Sequence, residues 1–381
     1  MPVKTTHFRV GNGDMMLIEL ASGRRILTDI NIRAAADDPD DSTPDVARQL
    51  RARLPRDAQG RLYVDAFLLT HPDADHIRGL MRHFHLGPLS TWSRDDDKII
   101  IREMWSSPTI FRRASKAHTL CDDAKAWNAE ARRRVQLFRQ LGWSLDGDRI
   151  KVLGQDENGK TDDLGLILVR IDTTFETIAG TIDSSFRARL IAPMPPSADP
   201  DEEDILSKNN SSVVLNLTLK VDGFDAANYL IGGDAEVAIW ERIWARNRHQ
   251  PHVLQYDLAI APHHCSWHSL SYDSWSELRE KAQVSKDARA ALGQARAGAY
   301  VLTSSHPIKD DDVDPPCIRA KREYLSILEP VRGIFRCICD GFDDAPLELE
   351  VTRGGISPVR RAAAVASPFV TGVGRQPVPH G

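Results

Sequence analysis

Apolar runs punctuated by Gly, Asn and Asp recur along both halves of the chain and predict strands. Met15–Leu20 and Arg25–Asp29, separated by Ala21-Ser22-Gly23-Arg24, predict an amino-terminal hairpin. Val64–Thr70 is almost continuously apolar, which predicts a strand buried on both faces. From Leu215 the pattern changes to strict alternation: Leu215, Leu217, Leu219 and Val221 alternate with Asn216, Thr218 and Lys220, as in a half-exposed strand. Further strands are predicted over Tyr256–Ala261, Ala299–Ser304, Ile334–Ile338 and Leu347–Val351. Helical spacing appears between them, as at Val237, Trp240 and Trp244. Strands and helices mixed in this way predict a layered α/β protein, an αββα sandwich. Gln155–Asp163 and Ser197–Asp204 are polar and read as loops within one domain. Residues 1–351 form that domain, and the stretch of about 98–150 reads as an insertion. Residues 352–381 carry Arg353, Arg360, Arg361 and Arg375 without an acid, a composition that predicts a disordered basic tail.

Composition narrows the function classes. Of 381 residues, 41% are hydrophobic and 27% charged, which excludes disorder as the main state. Forty-nine Lys and Arg against 54 Asp and Glu give a net charge of −5, so nucleic acid could bind only at a local basic surface or through metal. Arg102–Arg139 is such a candidate, with nine basic residues against four acids and with Trp105, Phe111 and Trp127 interleaved; a solvated amphipathic helix pair is the plainer reading. Five cysteines are too few for a disulfide framework, and Cys337-Ile338-Cys339 lacks the spacer of a zinc knuckle. With no signal-like start and no run of eighteen apolar residues, the expected location is cytoplasmic, without a membrane span.

The candidate chemistry lies at His71-Pro72-Asp73-Ala74-Asp75-His76, directly after the Val64–Thr70 strand. Carboxylates and imidazoles this crowded are costly in a plain core, whereas a divalent cation accepts both kinds of donor. The plainer alternative is a polar loop with helix-capping aspartates.

This segment resembles the His-x-Asp-x-Asp-His variant of the metal-binding signature of metallo-β-lactamase-fold hydrolases, found in the nuclease domain of ComEC-type DNA-uptake proteins. Five more blocks agree in order. Val10-Gly11-Asn12-Gly13-Asp14 resembles Val-Gly-Gln-Gly-Asp, and Ile26-Leu27-Thr28-Asp29 resembles the strand with the first motif aspartate. Asn209-Asn210-Ser211-Ser212-Val213-Val214-Leu215, Leu230-Ile231-Gly232-Gly233-Asp234 and Pro262-His263-His264-Cys265-Ser266 resemble the later blocks, the last in place of Pro-His-His-Gly-Ser. The resemblance spans about Phe8 to His306. Three departures stand out: Asp29 is followed by Ile30-Asn31 rather than Gly, Cys265 replaces a Gly, and Asn209 stands where a third-block histidine is usual.

The resemblance implies a metallo-β-lactamase-like αββα sandwich and two divalent metal ions, Zn²⁺ or Mn²⁺. It places His71 and Asp73 at one metal and Asp75 and His76 at the other, with Asp234 bridging. His264 completes the second site, with His263 as competitor, and Asn209 either ligates or orients a water. Asp29 and Asp14 support the ligands through hydrogen bonds. Cys265 reads as a tolerated small residue. The implied reaction is phosphodiester hydrolysis by a hydroxide shared between the metals, with Asp75 accepting a proton and His306, in Thr303-Ser304-Ser305-His306-Pro307, contacting phosphate or protonating the leaving oxygen. Nucleic acid or another phosphodiester is the implied substrate. Two alternatives stay open: hydrolysis of a small ester, lactone, thioester or phosphorylcholine ester, and a non-catalytic module with a structural metal. His83 and His85 are assigned to the helix after the motif; His118, His249, His252, His268 and His380 lie outside the ligand set.

Overall fold

The computed structural model describes residues 1–34, 43–110, 119–156, 159–340 and 344–359. In chain order the strands of the first half are β1 (Val3–His7), β2 (Met16–Glu19), β3 (Arg25–Thr28), β4 (Ile30–Asn31), β5 (Tyr63–Leu69), β6 (Phe84–His85), β7 (Ile99–Ser106), β8 (Arg149–Leu153) and β9 (Leu168–Val169). They are followed by β10 (Thr174–Phe175), β11 (Thr177–Ile178), β12 (Thr181–Ile182), β13 (Phe186–Ala192), β14 (Val214–Val221), β15 (Phe224–Ile231), β16 (Tyr256–Ile260), β17 (Ala295–Thr303), β18 (Ile334–Cys337), β19 (Leu347–Thr352) and β20 (Gly355–Pro358). The helices are α1 (Val46–Arg51), α2 (Ala74–Ile77), α3 (Leu80–His83), α4 (Asp122–Leu141), α5 (Pro200–Ile205), α6 (Val237–Asn247), α7 (Pro262–Cys265), α8 (Trp275–Leu278), α9 (Lys286–Leu292) and α10 (Ile318–Leu328).

Two mixed sheets dominate. The larger runs β20-β19-β1-β2-β3-β5-β7-β8-β9, with β6 paired to β7; the second runs β10-β13-β14-β15-β16-β17-β18. Period-two alternation sends Ile18, Ile26, Ala66 and Leu68 of the first sheet against Leu215, Leu217, Leu219 and Tyr229 of the second, forming the central core. The opposite face of the first sheet, with Leu17, Leu27, Phe67 and Ile101, packs on α1 and on Trp127 and Ala131 of α4. The outer face of the second, with Val214, Leu230 and Val301, packs on Ile239, Trp240 and Ile243 of α6 and on Tyr324 of α10. Each helix needs one apolar stripe and each sheet two apolar faces, so the chain stacks as helix, sheet, sheet, helix. The α/β expectation therefore holds, and β2 and β3 form the expected antiparallel pair.

Several local expectations change. The stretch 98–150 supplies sheet strands: β7 lies between β5 and β8, in parallel register with both, because Ile99, Ile101, Met104 and Trp105 are buried in the sheet. Among its described residues the basic run from Arg102 holds the end of β7, a short 3-10 turn at Pro108–Ile110 and α4. Within it Arg102 faces Asp65, Arg133 and Arg134 face Glu130, and Arg139 faces Asp163, so much of its charge is internally balanced; Phe111, Arg112, Arg113 and Lys116 lie outside the described residues. Ser197–Asp204 is not all loop, since Asp199 caps α5 through Asp201 N–H. β14 is more buried than alternation implied because helices cover its second face, and Asn216 Nδ2 donates to the carbonyls of Val253 and Gln255. The region after 352 begins with β20, which pairs with β19; residues 360–381 lie outside the description. His85 sits in β6, not in a helix, because α3 ends at His83 and Phe84–His85 pairs with Ile99–Ile100 of β7. Cys337 and Cys339 form a disulfide, while Cys121, Cys265 and Cys317 are free. Among the described residues no helix is long and apolar enough to cross a membrane.

Candidate metal centre

β3 and β5 are parallel, as are β15, β16 and β17, so their carboxyl ends deliver side chains to one edge of the sandwich. Asp29 follows β3, His71 follows β5, Asp234 follows β15, and His263 and His264 follow β16. The β1–β2 loop adds Asp14.

Asp234 is the hub. Its Oδ1 lies 3.1 Å from His76 Nε2, and its Oδ2 lies 3.5 Å from His71 Nε2, 3.6 Å from His264 Nε2 and 3.8 Å from His263 Nε2. Asp73 Oδ2 is 3.8 Å from His71 Nε2, and Asp75 Oδ2 is 3.2 Å from His264 Nε2. The His71 and His76 rings are 4.1 Å apart between centroids, and His76 stacks on His264 at 5.2 Å. Side-chain exposure is 0% for His71 and His76, 4% for Asp234, 23% for Asp73 and 35% for Asp75. The cluster thus has a closed floor and an open carboxylate rim.

Asp29 is the support the sequence suggests. Its Oδ1 accepts from Thr70 N–H at 2.7 Å, and its Oδ2 accepts from Thr70 Oγ1 at 2.6 Å and from His76 Nδ1 at 2.8 Å. Thr70 Oγ1 also sits 3.2 Å from His71 Nδ1, so one carboxylate orients two rings. Thr70 carries no motif signal beyond ending its strand, and sequence reasoning missed it. Asn31 was also missed. Its Nδ2 donates to the carbonyls of Val10 and Asn12, pinning the loop that carries Asp14 and giving the Ile30-Asn31 departure a structural role.

Asp14 is more than a support. Asp14, His76, Asp234 and His264 each offer an atom within 4.8 Å of the others, so its carboxylate belongs to the ring that could hold an ion. Loop geometry explains this. Gly13 adopts φ +142°, where a Cβ would lie 2.7 Å from Asp75 O, and its N–H reaches His264 Nδ1 at 3.2 Å. Gly233 has φ +51° and touches Thr70 and Ser212, which lets Asp234 come in directly behind β15.

Asn209 Nδ2 donates to Glu236 Oε1 at 3.1 Å, and Glu236 lies 4.0 Å from His263 Nδ1. The short Lys208–Ser211 turn that fixes it therefore braces the neighbour of His263. His306 is exposed and packs against Gly11, with its backbone N–H donating to Asn12 Oδ1 at 2.9 Å; it flanks the Asp14 loop without entering the cluster. His263, His264 and Cys265 all have positive φ (50°, 53° and 68°), which accounts for Gly being used at the last position in the blocks it resembles. Burial pushes the Cys265 thiol well above its ordinary range, leaving a neutral packed group.

The electrostatics follow from crowding without water. Burial alone would lower the His76 pKa, but Asp234 and Asp29 outweigh it and raise it well above 6.5. His264 is raised in the same way by Asp234 and Asp75. Burial alone would raise Asp234, yet His76, His264 and His71 hold it well below the usual carboxylate range. Burial wins at Asp14, pushing it up to about 6, and at His263, which it lowers. Four buried atoms, His71 Nε2, His76 Nε2, Asp14 Oδ1 and Asp234 Oδ1, have no hydrogen-bond partner although they face oppositely charged neighbours. Orphaned donors and acceptors cost about 1–3 kcal/mol each, a cost that a divalent cation among them removes. The mixed imidazole and carboxylate donor set fits such an ion.

No protein-family model matches the chain, and no curated protein matches it.

Proposed function

We propose that this protein is a metal-dependent hydrolase acting on phosphodiesters. The observation that carries the proposal is Asp234, whose two oxygens face separate imidazoles amid unpartnered buried atoms. His71, Asp73 and His263 would hold one ion and Asp14, His76 and His264 a second, with Asp234 shared between them and Asp75 at the rim. Such ions, Zn²⁺ or Mn²⁺, supply Lewis acidity and lower the pKa of water.

The chain's own residues do the rest. Asp29 and Thr70 fix two imidazoles so that their Nε2 atoms face the cleft. Asp75, on the open rim and held below its ordinary pKa chiefly by His264 against the opposing effect of burial, stays ionised and accepts a proton from attacking water. The water oxygen bonds to phosphorus, the ester P–O bond breaks, and the departing alkoxide takes a proton, with His306, exposed beside the Asp14 loop, as its proposed donor. The resemblance to ComEC-type nuclease domains makes nucleic acid the first substrate to test. Mn²⁺-loaded protein should degrade DNA or RNA or cleave bis-p-nitrophenyl phosphate, and Asp234→Ala should abolish both turnover and metal uptake. Intact substrates in the presence of stoichiometric metal would overturn the proposal and leave a structural metal as the reading.

A further inference from the structure

Beside the metal centre lies a cavity of about 330 Å³ that the hydrolytic reading does not use. Glu236 is common to both: it lines the cavity and lies 4.0 Å from His263 Nδ1, and His263 Nε2 in turn is 3.8 Å from Asp234. The cavity therefore begins one imidazole's width from the hub carboxylate. Its walls are built rather than incidental. Asn209 Nδ2 holds Glu236 Oε1, Asn210 Oδ1 accepts from Glu236 N–H, and Asn210 Nδ2 donates to Ile205 O. Across the space, the Tyr272 hydroxyl is anchored on Glu241 Oε2 at 2.8 Å, which fixes the ring.

The lining chemistry is one-sided. Two carboxylates, Asp204 and Glu236, line the space together with amides, hydroxyls, His268 and the Tyr272 ring, and no Lys or Arg is among the described lining residues. Nearby Arg242 is engaged by Glu202 at 2.6 Å. A polynucleotide threaded through the centre would bring a neighbouring phosphate towards the Asp204 and Glu236 carboxylates, with no Lys or Arg among the described lining residues to offset them. An ammonium would instead meet two carboxylates and the face of an aromatic ring.

We infer that this cavity is a subsite for the alcohol arm of a compact phosphodiester, and that the arm it takes is a positively charged, amine-bearing one. The inference rests on the hydrolase reading for the position of the phosphorus, but the recognition of the amine does not depend on turnover. The test uses p-nitrophenyl phosphodiesters whose second arm is 2-aminoethyl, 2-hydroxyethyl or carboxymethyl. The corresponding methylphosphonates, in which methyl replaces the p-nitrophenoxy leaving group, are titrated by calorimetry into the full-length protein with Mn²⁺. The expected order in both kcat/KM and affinity is amine, hydroxyl, carboxylate, with about tenfold separating the first two, the effect of one charged hydrogen bond. Asp204→Asn and Tyr272→Ala should each shrink the ratio of amine to hydroxyl binding towards one. Equal binding of the three phosphonates, or DNA cleaved in preference to the amine diester, would overturn the subsite. Amine-selective binding without any hydrolysis would keep the subsite and overturn the hydrolase reading; hydrolysis without selectivity would do the reverse.

Discussion

Asp29→Asn isolates how the buried carboxylate sets the chemistry of the centre. The substitution is nearly isosteric and removes one charge at a fully buried position. The amide oxygen can replace Oδ1 and keep the bond from Thr70 N–H. The amide NH₂ then replaces Oδ2, which accepts from Thr70 Oγ1 at 2.6 Å and His76 Nδ1 at 2.8 Å. Thr70 can rotate its hydroxyl, but His76 can adapt only by turning Nδ1 into an acceptor, which moves the ring proton to Nε2. Nε2 lies 3.1 Å from Asp234 Oδ1 and is the nitrogen the proposal gives to the metal. A protonated Nε2 cannot ligate, so metal uptake must leave the ring's one remaining proton on Nδ1, against an opposing N–H. That sacrifices one charge-assisted hydrogen bond, about 1.5–3 kcal/mol, in line with the ~10–100-fold affinity losses seen when a group supporting a metal ligand is changed. Competition with a chromophoric chelator for Zn²⁺ or Mn²⁺ reads the affinity, and ¹⁵N NMR of the imidazole reads the tautomer. An Asp29→Asn protein with wild-type melting temperature, Nδ1 still protonated and affinity within threefold of wild type would refute the reasoning.

Three further outcomes are expected. With His76 and His264 raised above 6.5 and Asp14 raised to about 6, the metal-free centre carries protons near neutrality. The stability these imidazolium groups lend is complete below pH ~6.5 and fades as pH rises through their folded values. Metal uptake should therefore release protons, and its gain in melting temperature should grow from pH 5 to 8; buffer-independent calorimetric enthalpies would contradict this. Glu130→Gln strands Arg134, whose side chain is 1% exposed, and should cost about 3–5 kcal/mol in urea unfolding at pH 7. Burial alone would raise the Glu130 pKa, but Arg133 and Arg134 lower it below 4.5, so its contribution exists above that value and is lost as pH falls through the lower folded one. The gap between wild type and variant should accordingly narrow in acid, and a pH-independent gap would count against the buried ion pair. Gly13→Ala places a Cβ against Asn31 and 2.7 Å from Asp75 O at a φ that disfavours side chains, with strain of about 1–3 kcal/mol. Because that strain falls on the Asp14 loop, metal affinity should drop more than global stability, as comparison of chelator competition with urea unfolding will show.

Local signals were strong where chemistry is contiguous. His71 to His76 sits within one strand-to-helix turn, and the run of Val64–Leu69 placed it at a strand end. Signals failed where partners are distant. Asp14 and His264 are separated by 250 positions, and nothing in either segment says that Gly13 N–H will meet the His264 ring. Asn209 looked like a ligand because of its place in a block, yet the turn around it directs its amide to Glu236. The basic stretch after Arg102 looked like a surface because its carboxylate partners, Asp65 and Asp163 among them, come from other elements.

The sequence by itself determined the α/β class, the strand that carries the central motif, and the imidazole and carboxylate chemistry on offer, since these depend on side-chain period and on residues adjacent in the chain. Only the tertiary structure decided that β7 belongs within the sheet, that Asp14 joins the ring around Asp234, and that a cavity lined by Asp204 and Glu236 opens beside the centre. Those outcomes depend on which strand ends converge and which charges are left unpaired once water is excluded, and neither is a property of any one segment.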